Sequence, residues 1–133
     1  MAIALGMRLT GALRGVPISD TAAFARQAGL DALDLPADFS AGADACRAGG
    51  LRIGTVDGVG AGELISADDA VRERAVTAIR DQIGALARSN IRVIFLCLVP
   101  RDNGQTIARS LALFMDSFPT VAQACEASGV RIA

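Results

Sequence analysis

One junction, met four times along the chain, limits what it can fold into more than any other feature. A helix-like stretch ends in Gly or Asn, and an aliphatic residue, a charged residue and a short apolar run follow. The four copies are Ala28-Gly29-Leu30-Asp31-Ala32-Leu33, Gly49-Gly50-Leu51-Arg52-Ile53-Gly54, Ser89-Asn90-Ile91-Arg92-Val93-Ile94 and Ser128-Gly129-Val130-Arg131-Ile132-Ala133. Gly and Asn tolerate the left-handed backbone that closes a helix, which suits them to this place. The charge at the start of each run can reach solvent while the rest of the strand is buried.

Between the junctions lie helices. Asp68, Asp69 and Glu73 crowd the first turn after Ser66, where negative charge and an N-cap both favour helix formation. Val71, Ala75, Ile79 and Ile83 then recur every fourth residue and Leu86 continues their face, with Arg72, Arg74, Arg80, Asp81 and Arg88 opposite. The spacing predicts an amphipathic helix of about 21 residues. Shorter helices are expected from Ser19 or Asp20 to Gly29 and from Ser40 to about Gly49. A longer helical region runs from about Thr106 to Ser128, with Leu111, Phe114, Phe118 and Val121 as its core face. Pro119 lies inside it and is expected to kink it or split it. Strands are predicted near Ile3–Leu9, Asp31–Leu35, Leu51–Val56 and Ile91–Val99, with a fifth beginning at Val130. The run from Ile91 to Val99 is nearly all apolar, as in a strand buried on both faces of a parallel sheet. The order β-α-β-α-β-α-β-α-β implies right-handed crossovers with helices outside. An open doubly wound sheet and part of a (β/α)8 barrel both share that order.

Composition removes several functions. The 133 residues have room for one domain, and 52% are hydrophobic against 20% charged, which excludes a disordered chain. So apolar a small domain suggests that part of its surface belongs against something else. The net charge is −1 with no basic stripe, and five Phe with no Trp or Tyr leave few platforms for bases, so no nucleic-acid partner is expected. Cys46, Cys97 and Cys125 form neither a CxxC pair nor a disulfide framework; each lies in an apolar run and reads as a small buried hydrophobe. A reducing cytoplasm suits them. The apolar start is too short and too poorly flanked for a signal peptide, and no stretch is long enough to span a membrane, so no membrane partner is expected.

Four segments carry a resemblance to a known family. Gly29-Leu30-Asp31-Ala32-Leu33-Asp34-Leu35-Pro36 resembles the second strand, "Gly-aromatic-Asp-Gly-Val-Glu-Leu", of the sugar phosphate isomerase/epimerase group with the xylose-isomerase-like barrel. Val71-Arg72-Glu73-Arg74-Ala75 through Gln82-Ile83 is similar to its third helix, and Arg92-Val93-Ile94-Phe95-Leu96 to its fourth strand. Ala124-Cys125-Glu126-Ala127-Ser128-Gly129-Val130-Arg131-Ile132-Ala133 is similar to the family's "Leu-Ala-Glu-Glu-hydrophobic-Gly-Val-Arg-hydrophobic-Ala". The resemblance implies an α/β fold that is a partial (β/α)8 TIM barrel, about four βα units plus the start of a fifth strand. Residues 1–133 would then be the amino-terminal half of one barrel domain.

The resemblance also implies a divalent metal (Mn, Mg, Co or Zn) in the complete enzyme, polarising a sugar oxygen while carboxylates move a proton between neighbouring carbons. In the family the metal ligands begin with a Glu after Val-Arg-Ile-Ala and continue through strands six to eight. The chain has no histidine and ends at Ala133, so no metal ligand and no catalytic residue is assigned to it. Half a substrate site for a sugar or sugar phosphate could remain at the carboxyl ends of the strands, where barrel active sites lie. The substrate-binding candidates are Arg8, with Thr10 beside it, Asp34, Asp57 and Arg101. Asp34 could equally be a hydrogen-bonded strand-end carboxylate, Asp57-Gly58 is a common turn pair, and Arg101 and Asp102 could cap a loop. Gly58-Val59-Gly60-Ala61-Gly62 lacks phosphate-binding spacing, and no helix is expected to open directly from it, so it reads as a flexible barrel loop.

Three functions follow as expectations. The first is an inactive fragment of a sugar isomerase or epimerase, and the second a non-enzymatic module that self-associates through its open sheet edges. The third is a doubly wound domain that binds a small ligand, which the lack of a phosphate fingerprint disfavours.

Overall fold

The computed structural model describes residues 4–9, 13 and 15–133. Among these residues five short strands alternate with four helices: β1 (Gly6–Arg8), α1 (Ile18–Gln27), β2 (Ala32–Leu35), α2 (Ser40–Gly49), β3 (Arg52–Asp57), α3 (Asp69–Arg88), β4 (Val93–Phe95), α4 (Ile107–Ser128) and β5 (Arg131–Ile132). A 3-10 helix, Ala61–Ile65, stands between β3 and α3. These elements fall into two compact units, Met1–Asp57 and Gly58–Ala133.

The four junctions share one geometry. Gly29, Gly50, Asn90 and Gly129 all lie in the left-handed region, with φ from 57° to 75°. In each, the next N–H reaches back to the carbonyl five residues earlier: Leu30 to Ala25 at 2.9 Å, Leu51 to Cys46 at 2.8 Å, Ile91 to Leu86 at 2.9 Å and Val130 to Cys125 at 3.2 Å. This bond satisfies a helix-end carbonyl that would otherwise lack a donor and aims the chain into the next strand. The charged residues that follow, Asp31, Arg52, Arg92 and Arg131, are exposed as expected.

In the first unit β1 pairs with β2 and β2 with β3, both in parallel. Leu33, Leu35 and Val56 are buried with Ala22 and Ala25 of α1 and Ala43 and Cys46 of α2. The β2–β3 register shifts between Leu33 and Leu35: Leu33 lies opposite Ile53, but Leu35 lies opposite Val56. Gly54 and Thr55 of β3 thus lie opposite the single residue Asp34 of β2, and β3 bulges there.

In the second unit β4 and β5 pair in parallel, and α3 packs on α4 and on the 3-10 helix. Asp68 is the N-cap of α3, accepting from the N–H groups of Ala70 and Val71. Ala75, Ile79, Ile83 and Leu86 are buried as the periodicity predicts, joined by Gln82. Gln82 sits on the core face because its Oε1 accepts the Val59 N–H at 2.8 Å. Ser117 is likewise buried in α4 and donates to the Leu64 carbonyl at 3.1 Å. Two buried polar side chains therefore hold the segment between β3 and α3.

Several expectations change here. α4 is continuous through Pro119 and is not split. Proline removes one hydrogen bond, to the carbonyl of Met115, and Met115 is an exposed residue whose carbonyl can turn to water. The core face of α4 is Leu113, Ser117, Val121 and Cys125, so only Val121 of the expected set is buried. Phe114 and Phe118 are half-buried with ring centroids 4.6 Å apart, and Leu111 is 59% exposed. Apolar residues cover more of this helix than one face can bury, so packing on α3 and the 3-10 helix chooses the face. β4 is shorter than its apolar run. The Leu96 N–H meets the Ala133 carbonyl at 3.1 Å, and in the connection that follows Cys97 and Val99 are exposed. Cys97 is therefore no buried hydrophobe, while Cys46 and Cys125 are. A short helix does open directly after Gly60, with Ala61, Leu64 and Ile65 buried, because those three apolar side chains need cover.

Candidate functional site

Parallel pairing puts the carboxyl ends of β1, β2 and β3 at one end of the first unit, and three of the expected residues meet there. Arg8 ends β1, Asp34 stands near the end of β2 opposite Arg8 in register, and Asp57 ends β3. Arg8 Nη2 donates to Asp57 Oδ1 at 2.8 Å, a bridge over β2 between side chains 45% and 37% exposed. At that exposure the pair contributes about 0–1 kcal/mol of stability, so it orients two charged groups more than it holds the fold.

Asp34 has a different part. The β3 bulge turns the Thr55 N–H out of the ladder, and Asp34 Oδ1 accepts it at 2.8 Å. Gly54 leaves room for that carboxylate, since a Cβ at position 54 would overlap Asp34 Oδ1. Strand, bulge, glycine and carboxylate form one device. The hydrogen-bonded strand-end reading of Asp34 is thus realised. A lone Gly inside a strand is the sequence signal of such a bulge, and Gly54 carried it.

Arg101 lies in the second unit, in the connection after β4. Its guanidinium meets Glu63 Oε1 of the 3-10 helix at 2.5 Å, with Arg101 itself 83% exposed. Asp102 closes the same connection by accepting the Gly104 N–H at 2.8 Å. Gln105 spans it by donating to the Ile65 carbonyl and to Ser110 Oγ, both at 2.8 Å. Glu63, Arg74, Arg101, Asp102 and Gln105 line a cleft of about 620 Å³ on this unit. Glu63 and Gln105 had no signal in the sequence, because their partners are far along the chain. Thr10 lies outside the described residues.

The metal implied by the resemblance finds no complete set of ligands among the described residues, where no three His, Cys, Asp or Glu side chains cluster. Asp34 is engaged with the Thr55 N–H and Asp57 with Arg8. These residues do not fit a metal centre. Among the described residues no helix is long and apolar enough to cross a membrane. Burial raises the thiol pKa of Cys46, against a smaller lowering by Arg47, and burial alone raises that of Cys125. Both are packing groups and poor nucleophiles.

No family model and no curated protein matches the chain by sequence. Solved structures do match its fold. It superposes on a 3-keto-D-glucoside 4-epimerase from E. coli with TM-score 0.76 and 15% identity, over 98% of this chain and 55% of that one. A D-psicose 3-epimerase from Clostridium cellulolyticum H10, solved with D-tagatose, matches with TM-score 0.74 and 17% identity, over 98% and 51%. A D-allulose 3-epimerase from Methylomonas sp., solved with D-allulose, matches with TM-score 0.74 and 16% identity, over 98% and 50%. The chain spans about half the length of these proteins. It has the α/β fold of about half of a xylose-isomerase-like barrel, the fold that its sequence resembles.

Proposed function

We propose that residues 1–133 are the amino-terminal half of the barrel domain of a divalent-metal-dependent sugar or sugar phosphate isomerase or epimerase. The observation that supports this best is the superposition of 98% of the chain on about half of sugar epimerases. The strand-end group Arg8, Asp34 and Asp57 supports it further, since barrel enzymes bind substrate at the carboxyl ends of their strands. In this reading Asp34 offers its second carboxylate oxygen to a sugar hydroxyl, and Arg8 and Asp57 present a paired donor and acceptor. The metal and the proton-moving carboxylates belong to the rest of the barrel. The chain alone is accordingly inactive.

Two measurements test this. Ketohexoses such as D-allulose and D-tagatose, incubated with the purified chain and Mn²⁺, should show no epimerisation; turnover by the chain alone would refute its dependence on a further half. The intact mass from the native source should be near twice 13.6 kDa, with a metal that dialysis against a chelator removes. In that longer protein Asp34→Ala should weaken sugar binding. Unchanged binding would remove Asp34 from the substrate site while leaving the fold assignment in place.

A second reading, a half-barrel that acts by assembling, draws on one observation: apolar side chains left exposed along α4.

A further inference from the structure

The cleft on the second unit, about 620 Å³, has the size of a small-molecule site. Its walls are the 3-10 helix, the first turns of α3 and the connection after β4, and all of them lie between Gly62 and Gln105. Side chains brace these walls. Gln105 donates to the Ile65 carbonyl at 2.8 Å, Arg72 to the Ser66 carbonyl at 2.7 Å, and Ser117 to the neighbouring Leu64 carbonyl at 3.1 Å. Gly62 lets two walls approach, since a Cβ there would lie 2.7 Å from the Val99 carbonyl oxygen. A cleft held in this way is formed before a ligand arrives, so binding loses little to ordering.

The charges along the walls are unequal in what they already meet. Arg101 pairs with Glu63, Asp68 accepts the Ala70 and Val71 N–H groups, and Asp102 accepts the Gly104 N–H. Arg74 also lines the cleft and is exposed, yet it makes no hydrogen bond or ion pair among the described residues. Ile65 and Val71 give the cleft an apolar side. We propose that it binds a small monocarboxylate with an apolar body, the carboxylate on Arg74 and the body against Ile65 and Val71. A guanidinium fork matches a carboxylate with two parallel hydrogen bonds, and Arg74 breaks no bond within the fold to make them. A phosphate ester would suit the fork as well, but its second negative charge would fall among Glu63, Asp68 and Asp102 and be repelled. With every wall inside residues 62–105, the site depends neither on the sugar reading nor on the length of the native product.

The test is a titration of the 133-residue chain with benzoate, followed by amide NMR. The N–H signals of Gly62, Ala67 and Gln105 should move together and saturate with a millimolar dissociation constant. Benzamide, the neutral isostere, and acetate, which lacks the apolar body, should each bind at least about tenfold more weakly. Arg74→Gln should weaken benzoate at least about tenfold with unchanged circular dichroism, because the side chain has no partner in the fold. Arg80→Gln removes the same charge from an exposed position of α3 outside the cleft and should leave binding unchanged. Shifts that do not saturate overturn the proposal. So does binding that Arg74→Gln leaves intact, or that Arg80→Gln weakens as much, which would mean general attraction to a cationic surface. Benzamide binding as well as benzoate would leave an apolar crevice with no part for Arg74. Tighter binding of phenyl phosphate than of benzoate would make this a phosphate site and overturn the choice of a carboxylate.

Discussion

Replacing Asp34 by Ala isolates the bulge device. Asp34 Oδ1 accepts the Thr55 N–H at 2.8 Å, and the register shift between β2 and β3 gives that N–H no ladder partner across β2. A hydrogen bond to a charged acceptor contributes about 1.5–3 kcal/mol, and a buried donor left unmet costs about 1–3 kcal/mol. Asp34 is half-buried, so water recovers part of this, and Asp34→Ala should destabilise the chain by about 1–2 kcal/mol. For a domain of this size the corresponding fall in Tm is about 3–6 °C. Asp34→Asn keeps a neutral acceptor in place and should recover about half of the loss. Urea unfolding followed by circular dichroism measures both, with an unchanged slope showing that stability alone has moved. A change below about 0.5 kcal/mol in Asp34→Ala would refute the reasoning, since surface substitutions fall in that range. An Asp34→Asn variant as unstable as Asp34→Ala would refute it too, because the oxygen would then not be the working part.

Gly54→Ala should also destabilise by about 1–2 kcal/mol, because its Cβ displaces the Asp34 carboxylate; in the Asp34→Ala background the cost should shrink, as a double-mutant cycle would measure. Ser117→Ala removes the buried hydroxyl that meets the Leu64 carbonyl and should cost about 1–2 kcal/mol, read by the same urea unfolding. The sequence contains no Lys, Tyr or His, so thiols are the side chains that titrate between about pH 7 and 11. Folding raises the Cys46 and Cys125 pKa values above the ordinary 9.0, so their contribution is complete below pH 9.0 and is lost as pH rises through the folded values. Stability should fall above pH 9, and Cys46→Ala with Cys125→Ala should flatten that fall in urea unfolding at successive pH values. Pro119→Ala restores a donor inside α4 at an exposed position and should raise Tm by a few degrees.

The junctions were legible because their causes are local. A residue able to take positive φ, four residues after a carbonyl in need of a donor, is visible in the order of amino acids alone, and all four copies fold alike. The amphipathic period of α3 was equally plain. Arg8, Asp34 and Asp57 could be placed at strand ends by counting, yet the Arg8–Asp57 pair could not be foreseen, because its partners are 49 residues apart. Arg101 could be placed after β4, while its partner Glu63 belongs to a 3-10 helix that no periodicity announced. Cys97 lies in an apolar run yet is exposed, because it falls in the connection after β4 and not in the strand.

By itself the sequence determined the alternation of strand and helix, the left-handed caps and the charge at the foot of each strand. These follow from backbone sterics and from hydrogen bonds within six residues. Tertiary structure alone decided which side of α4 is buried, where β3 bulges, and that Gln82 and Ser117 belong in the core. Each of those choices depends on partners far along the chain: Leu64 lies 53 residues from Ser117, and Val59 lies 23 from Gln82. α4 offers more apolar surface than one packing face can take, and only contact with α3 and the 3-10 helix leaves Ile107, Leu111 and Met115 on the outside.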